Sequence, residues 1–271
     1  MSRMTPRHAV VDGLRVRYAQ GGGTGPDALL LSPWPESVYA FDGVWDALSA
    51  HARLVALDLP GYGDSQVSQE LQSPEAMAGF ILRAVGALGL ERPHVVGPDI
   101  GTSAVLFAGA RDPQAFRSIV VGSGGVAVPV NVTGILKTWV EEPGTDQYRD
   151  LDPAALVDTV LGTIKDFTPA AHIRQDYVDS YRDGRFAESV KYVQQYPVQL
   201  PRLAELLPTI TAPVRVVAGA EDPVVPAANA RFIADRVPGS RVDLIDGAGH
   251  FCWEEQPAAY ASLVADWWNT H

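Results

Sequence analysis

The chain has 271 residues, 46% hydrophobic and 20% charged, which is enough apolar material for one large α/β domain that can carry an inserted subdomain. Its formal net charge of -11 argues against nucleic-acid binding by phosphate neutralisation and against an anionic membrane surface as partner, so a small molecule is the expected partner. The single cysteine, Cys252, excludes an intrachain disulfide and reads as a small buried hydrophobe, while the lack of a membrane-length apolar run or an apolar signal core predicts a cytoplasmic location.

Taken in chain order, His8–Val11 and Leu14–Tyr18 read as strands around an Asp12-Gly13 hairpin turn. Gly21 to Gly25 reads as a loop. Ala28–Leu31 is a short apolar run that stops at Ser32-Pro33-Trp34-Pro35, where two prolines end both helix and sheet. Arg53–Leu57 is the next strand, followed by Asp58-Leu59-Pro60-Gly61-Tyr62-Gly63. Ser73–Leu88 has helical spacing of Met77, Phe80, Ile81, Val85 and Leu88, with Ser73 as N-cap and Pro74 in the first turn. His94–Val96 is a strand, Gly97 to Gly101 a turn, Thr102–Ala110 a helix, and Ser118–Val121 a strand.

The composition then changes. Val130 to Pro208 carries helical patterns, no convincing strand, and five of the nine tyrosines: Tyr148, Tyr177, Tyr181, Tyr192 and Tyr196. Strands return at Val214–Ala218 and Val242–Ile245, with a helix over Ala227–Val237 between them and a last helix over Ala258–Trp268. Alternating strands and helices predict an α/β fold with a mostly parallel sheet flanked by helices. The expected division is a core of residues 1–129 and 209–271 and a helical cap of residues 130–208. The pattern specifies no oligomeric state.

In such a sheet, reacting groups collect at the C-terminal ends of strands. Gly97-Pro98-Asp99-Ile100-Gly101 has the Gly-x-nucleophile-x-Gly form of a sharp strand-to-helix turn that exposes its central side chain. Taken alone, Asp99 reads equally as a helix cap. Asp222 follows the strand Val214–Ala218 and precedes Pro223; Glu221 is its rival. His250 follows Val242–Ile245 in a small, glycine-flanked loop. The backbone N–H groups of Trp34 and Ile100 are candidates to hold an oxyanion. No histidine has metal-ligand spacing to a cysteine or another histidine, so no metal is expected. The order nucleophile, acid, histidine, each beyond its own strand, decides in favour of catalysis.

These residues resemble the α/β-hydrolase superfamily, and within it the epoxide hydrolase and haloalkane dehalogenase branch that uses an aspartate nucleophile. The likeness spans nearly the whole chain. Ser32-Pro33-Trp34-Pro35 resembles the branch's oxyanion loop with Ser32-Pro33 in place of His-Gly, and Pro98 stands where a histidine is common. The resemblance implies Asp99 as nucleophile, His250 and Asp222 as the water-activating pair, and no cofactor. Ile100 offers no side-chain donor for a halide, and the segment Gly184 to Tyr192 resembles one that bears a tyrosine donating to an epoxide oxygen. Epoxide hydrolysis with Tyr192 as acid is therefore the first expectation. Dehalogenation through the same Asp99 ester is the second, and a ligand-binding relative without turnover is the third. Trp34, Trp139, Tyr148 and Phe251 are the expected pocket residues.

Overall fold

The computed structural model describes residues 4–271; Met1, Ser2 and Arg3, where the search for a signal core begins, lie outside them. Eight strands form one sheet: β1 (Arg7–Val11), β2 (Leu14–Gly22), β3 (Asp27–Leu31), β4 (Arg53–Leu57), β5 (His94–Pro98), β6 (Ser118–Gly122), β7 (Val214–Gly219) and β8 (Arg241–Ile245). Their order is β1-β2-β4-β3-β5-β6-β7-β8. β2 is antiparallel to both its neighbours, and every other pairing is parallel. This is the mostly parallel α/β sheet that the sequence predicts. The hairpin turn falls at Asp12 and Gly13, both at positive φ (53° and 79°), a turn whose twist suits the flanking strands.

The helices are α1 (Trp45–Ser49), α2 (Pro74–Ala87), α3 (Ile100–Arg111), α4 (Gly134–Glu141), α5 (Pro153–Leu161), α6 (Ala171–Ser180), α7 (Arg185–Val193), α8 (Tyr196–Leu206), α9 (Ala228–Ala234), α10 (Cys252–Glu255) and α11 (Pro257–Thr270). The central strands are buried on both faces, which explains their unbroken apolar runs. Leu29, Leu31, Val95 and Val121 point into one core layer with α2, α3 and α9. Ala28, Leu30, Val96 and Val120 point into the other, with α1, α10 and α11. Ser73 caps α2 by accepting from Ala76 N, and Pro74 opens the helix.

Two elements differ from the sequence expectation. β2 runs on through Gly21 and Gly22, which reads as loop from composition. Glycine is needed there for room: a Cβ on Gly21 would lie 2.9 Å from the Trp45 ring, and one on Gly22 would lie 2.3 Å from Ala52 O. The second is the stretch Val38–Ser49, which forms a short 3-10 turn and α1. Both are too short to show a periodicity.

Between β6 and β7 the described chain holds α4 to α8 and no strand. Polar contacts seat this segment on the sheet. Arg17 of β2, buried, donates to Asp58 and to Asp176 of α6, and Ser37 Oγ donates to Asp176 at 2.7 Å. Arg185 donates to the carbonyls of Gly63 and Ser65, each at 2.9 Å. α8 lies beside α2 and α3, and Glu75 N at the start of α2 donates to Gln199 Oε1. Among the described residues no helix is long and apolar enough to cross a membrane.

The glycines around Asp99 are not equivalent. A Cβ on Gly97 would lie 2.6 Å from Val105 Cγ2, whereas on Gly101 the nearest atom is Leu31 Cβ at an ordinary 3.7 Å. Gly97→Ala is expected to destabilise by about 1–3 kcal/mol through overpacking. Gly101→Ala, inside α3, is expected to stabilise by about 0.5–1 kcal/mol. Urea unfolding of the two variants checks the contrast, and equal losses would contradict it.

Candidate active site

β5 delivers the chain to Asp99, and α3 begins at the next residue. Asp99 has φ 51° and ψ -121°, a combination that L-residues avoid and that persists only where the surroundings enforce it. Asp99 N donates to Gly122 O at 2.9 Å. Thr102 Oγ1 lies 3.0 Å from Gly97 O and 2.9 Å from Gly122 O, and accepts from Gly122 N at 3.1 Å. Gly97 and Gly124 make the space; a Cβ on Gly124 would stand 2.3 Å from Asp99 O. The strained turn carries the Asp99 side chain up from the strand end. That side chain makes no capping bond to its own helix, so the capping role is not the one it fills.

β7 and β8 bring in the other two groups. His250 Nδ1 lies 2.9 Å from Asp222 Oδ2, and His250 Nε2 lies 3.6 Å from Asp99 Oδ1. Asp222 is oriented from behind, because its Oδ1 accepts from Val224 N and Val225 N, both at 2.8 Å. Its rival Glu221 is exposed and pairs with Lys165. Burial opposes charge on His250, but attraction and hydrogen bonds from Asp222 and Asp99 outweigh it and push the imidazole up to about 10. The ring is therefore an imidazolium at neutral pH. The second carboxylate oxygen, Asp99 Oδ2, accepts from Trp34 N at 2.7 Å. Ile100 N is the first N–H of α3 and has no intrahelical acceptor by position. The Trp34-Pro35 peptide is cis.

Above these groups lies a cavity of about 340 Å³, lined by Trp34, Asp99, His250 and Phe251 from the strand ends and by Ile135, Leu136, Trp139, Thr159, Val160 and Thr163 from α4, α5 and the residues after it. Its wall is almost wholly apolar. The aromatic side is a cluster in which Trp34 meets Trp139 at 4.8 Å and stacks on Phe186 at 5.5 Å between ring centroids. The Trp34 indole N–H is buried without a hydrogen-bond partner. Among the described residues no group of three His, Cys, Asp or Glu side chains could hold a metal ion.

Asp99, Asp222, His250, Trp34 and Ile100 thus come together, and Trp34, Trp139 and Phe251 line the cavity. Tyr192 and Tyr148 do not. Tyr192 is fully buried behind the turn; its hydroxyl donates to Ile100 O at 2.8 Å and lies 3.4 Å from Ser103 Oγ. Burial raises its pKa, which makes it a poorer acid. The ring of α7 nearest the cavity is Phe186, six residues earlier on the same helix. Tyr148 packs edge-on to Phe186 and donates to Glu142. No tyrosine lines the cavity. Sequence reasoning missed Ile135, Leu136, Thr159, Val160 and Thr163, because a helical pattern does not say how a helix is rotated towards a pocket. It also missed three buried glutamates beside the site, Glu36, Glu254 and Glu255.

Two substitutions check this geometry. In Asp99→Asn one of the two carboxylates facing His250 is gone, so the imidazole titration, followed by NMR, is expected to fall from about 10 towards the ordinary histidine range. Tyr192→Phe is expected to cost about 0.5–1.5 kcal/mol of stability for the lost bond to Ile100 O. It should leave turnover intact. A drop of about 100-fold or more would give the hydroxyl back its role as an acid.

The model of the alpha/beta hydrolase family matches residues 21–263. An uncharacterised protein of Mycobacterium tuberculosis is 25% identical over 281 aligned residues, which cover 98% of this chain and 82% of that protein. Two solved structures share the fold closely. A haloalkane dehalogenase loop variant from Bradyrhizobium elkanii superposes with a TM-score of 0.82 at 20% identity, covering 98% of this chain and 97% of its own. An epoxide hydrolase from Vigna radiata superposes with a TM-score of 0.82 at 19% identity, covering 100% and 99%. With the sheet order, the strained turn and the family match in agreement, the chain belongs to the alpha/beta hydrolase family.

Proposed function

We propose that the protein hydrolyses a small apolar electrophile by displacing a leaving group from saturated carbon through a covalent ester on Asp99. The observation that carries this reading is the division of the Asp99 carboxylate at the cavity floor: Oδ2 on Trp34 N–H, Oδ1 towards His250. Oδ1 attacks carbon, and the bond to the leaving group breaks. Oδ2 stays on Trp34 N–H and becomes the ester carbonyl oxygen. Ester formation removes the Asp99 charge, so His250 loses much of what holds its proton and releases it to solvent. Neutral His250, oriented by Asp222, then takes a proton from water as the hydroxide attacks the ester carbonyl. The N–H groups of Trp34 and Ile100 hold the oxyanion, each such donor being worth about 3–4 kcal/mol. On collapse, the proton on His250 passes to the departing alkoxide, and the proton left on the Asp99 carboxylic acid returns to His250, which restores both groups. The segment of residues 130–208 acts as the cap that shapes the substrate space.

The cavity wall bears on the leaving group. An opening epoxide needs a proton at the nascent alkoxide, and no tyrosine reaches the cavity to give one. A halide leaves as an anion and needs only hydrogen-bond donors, and the Trp34 indole N–H, buried but without a partner, becomes one when the ring turns towards the cavity. Halide displacement is thus the reading we place first. Epoxide opening, to which the sequence points first, is second. It keeps one support: the imidazolium of His250 lines the same cavity and is a proton source.

Single turnover in ¹⁸O-labelled water, with 1-bromobutane and styrene oxide as separate probes, tests both. Label is expected in the Asp99 peptide with whichever probe is turned over, and its absence during turnover refutes the ester. Bromide release without diol supports the first reading, and diol without bromide the second. Binding of either probe with no turnover of a wide halide, epoxide and ester panel would leave a ligand-binding protein.

A further inference from the structure

Glu36 and Glu254 are buried together beside the triad. Glu36 is fully buried and Glu254 is 5% exposed. Each uses one oxygen on a donor: Glu36 Oε2 accepts from Trp253 Nε1 at 3.0 Å, and Glu254 Oε1 accepts from the Tyr177 hydroxyl at 3.5 Å. The other oxygen of each, Glu36 Oε1 and Glu254 Oε2, is buried with no donor. The two carboxyls are within hydrogen-bonding reach of one another. Two facing carboxylates would repel and would leave two buried acceptors empty, a cost that proteins avoid. A proton between them removes both faults.

We propose that Glu36 and Glu254 share one proton, carried on Glu254 Oε2 and donated to Glu36 Oε1, and that this bond positions the catalytic base against the oxyanion donor. The chain positions show how. Glu36 is two residues beyond Trp34, whose N–H holds Asp99 Oδ2. Glu254 is four residues beyond His250, and Trp253, which also donates to Glu36, has its ring 6.3 Å from that of His250. The bond therefore ties the loop after β3 to α10, the helix that follows the His250 loop. Neither glutamate lines the cavity, so they act as a positioning pair and touch no substrate. The direction of the donor follows from the surroundings. Burial raises both carboxyls, and Glu254, which also faces the Glu36 and Glu255 carboxylates, is raised the further. The titratable groups around the pair include Asp99 from the strained turn, His250 from the loop after β8, Glu255 from α10, Tyr177 from α6 and Tyr181 just after it. Glu255 is already engaged, since Gly249 N donates to it.

The test needs no substrate, so it stands or falls apart from the ester mechanism. Infrared difference spectra of wild type and Glu254→Gln at neutral pH are expected to show a buried, protonated carboxylic acid in the wild type that the variant lacks. The Gln amide can still donate to Glu36 Oε1, so the His250 titration followed by NMR should stay in place in Glu254→Gln. In Glu254→Ala it should fall by roughly one unit as the imidazole loses its fixed place between two carboxylates. A raised carboxyl lends stability that is whole below its ordinary range and is lost as pH climbs through the raised values, Glu36 at about 7 and Glu254 higher. Glu254→Gln has no such proton to lose, so its melting temperature should gain on the wild type as pH rises above the ordinary carboxylate range. The absence of an acid band at neutral pH would overturn the proposal. So would a His250 titration displaced as far by glutamine as by alanine. If Glu254→Ala fails to fold, the infrared and melting comparisons with glutamine decide alone.

Discussion

A protonated imidazole held between two carboxylates at the floor of an apolar cavity is the interaction on which the site depends. Burial alone would discharge His250, and only the fixed nearness of Asp222 and Asp99 keeps its proton in place. That nearness is built from three strand ends. Parallel neighbours β5, β6, β7 and β8 finish on the same edge, so loops far apart in sequence meet there. The Asp99 turn adds backbone strain, held by Thr102 and by the bond to Gly122 O. Asp222 is braced by two backbone N–H groups. Each support points the same way: the three side chains are held in place by the fold itself before a substrate arrives.

Much of this was legible in the sequence, for physical reasons. Buried parallel strands must be apolar on both faces, so β3 to β7 stand out as short hydrophobic runs, and their ends fall where turn residues begin. The meeting of Asp99, Asp222 and His250 was legible because each follows its own strand, and parallel strands bring the residues beyond their ends together. What was not legible depends on contacts between distant parts. Gly21 and Gly22 look like loop until Trp45 and Ala52 show what occupies the missing side-chain space. Tyr192 lies in the right segment, yet a position along a helix does not fix the helix's rotation, and its hydroxyl ends on Ile100 O. Glu36 and Glu254 went unremarked, because nothing local signals a buried carboxyl.

The displacement of Tyr192 from the cavity also shows how a resemblance transfers. Asp99, Asp222 and His250 are tied to strand ends, and the solved structures superpose on this sheet closely. Helices over the sheet are bound by a few side-chain contacts, such as Arg17 with Asp58 and Asp176, and by packing around Phe186. On α7, Phe186 packs on Trp34 and Trp139 while Tyr192, six residues on, is turned towards Ile100 O. Chemistry carried by the sheet is therefore the safer part to transfer, and chemistry carried by the helices has to be read from the structure.

The wall supplied by α4, α5 and the turn after it has a further consequence. Thr159 and Thr163 satisfy their hydroxyls within their own helical turns, on Ala155 O and Val160 O. Ile135, Leu136 and Val160 offer only apolar surface. None of these five side chains bonds to Asp99, Asp222 or His250. Selection acting on them can recut the chamber while the reacting groups keep their spacing and charge. The chamber's wall is in that sense separable from its floor: changes on α4, α5 and the turn after it reshape the space and leave the contacts among Asp99, Asp222 and His250 as they are.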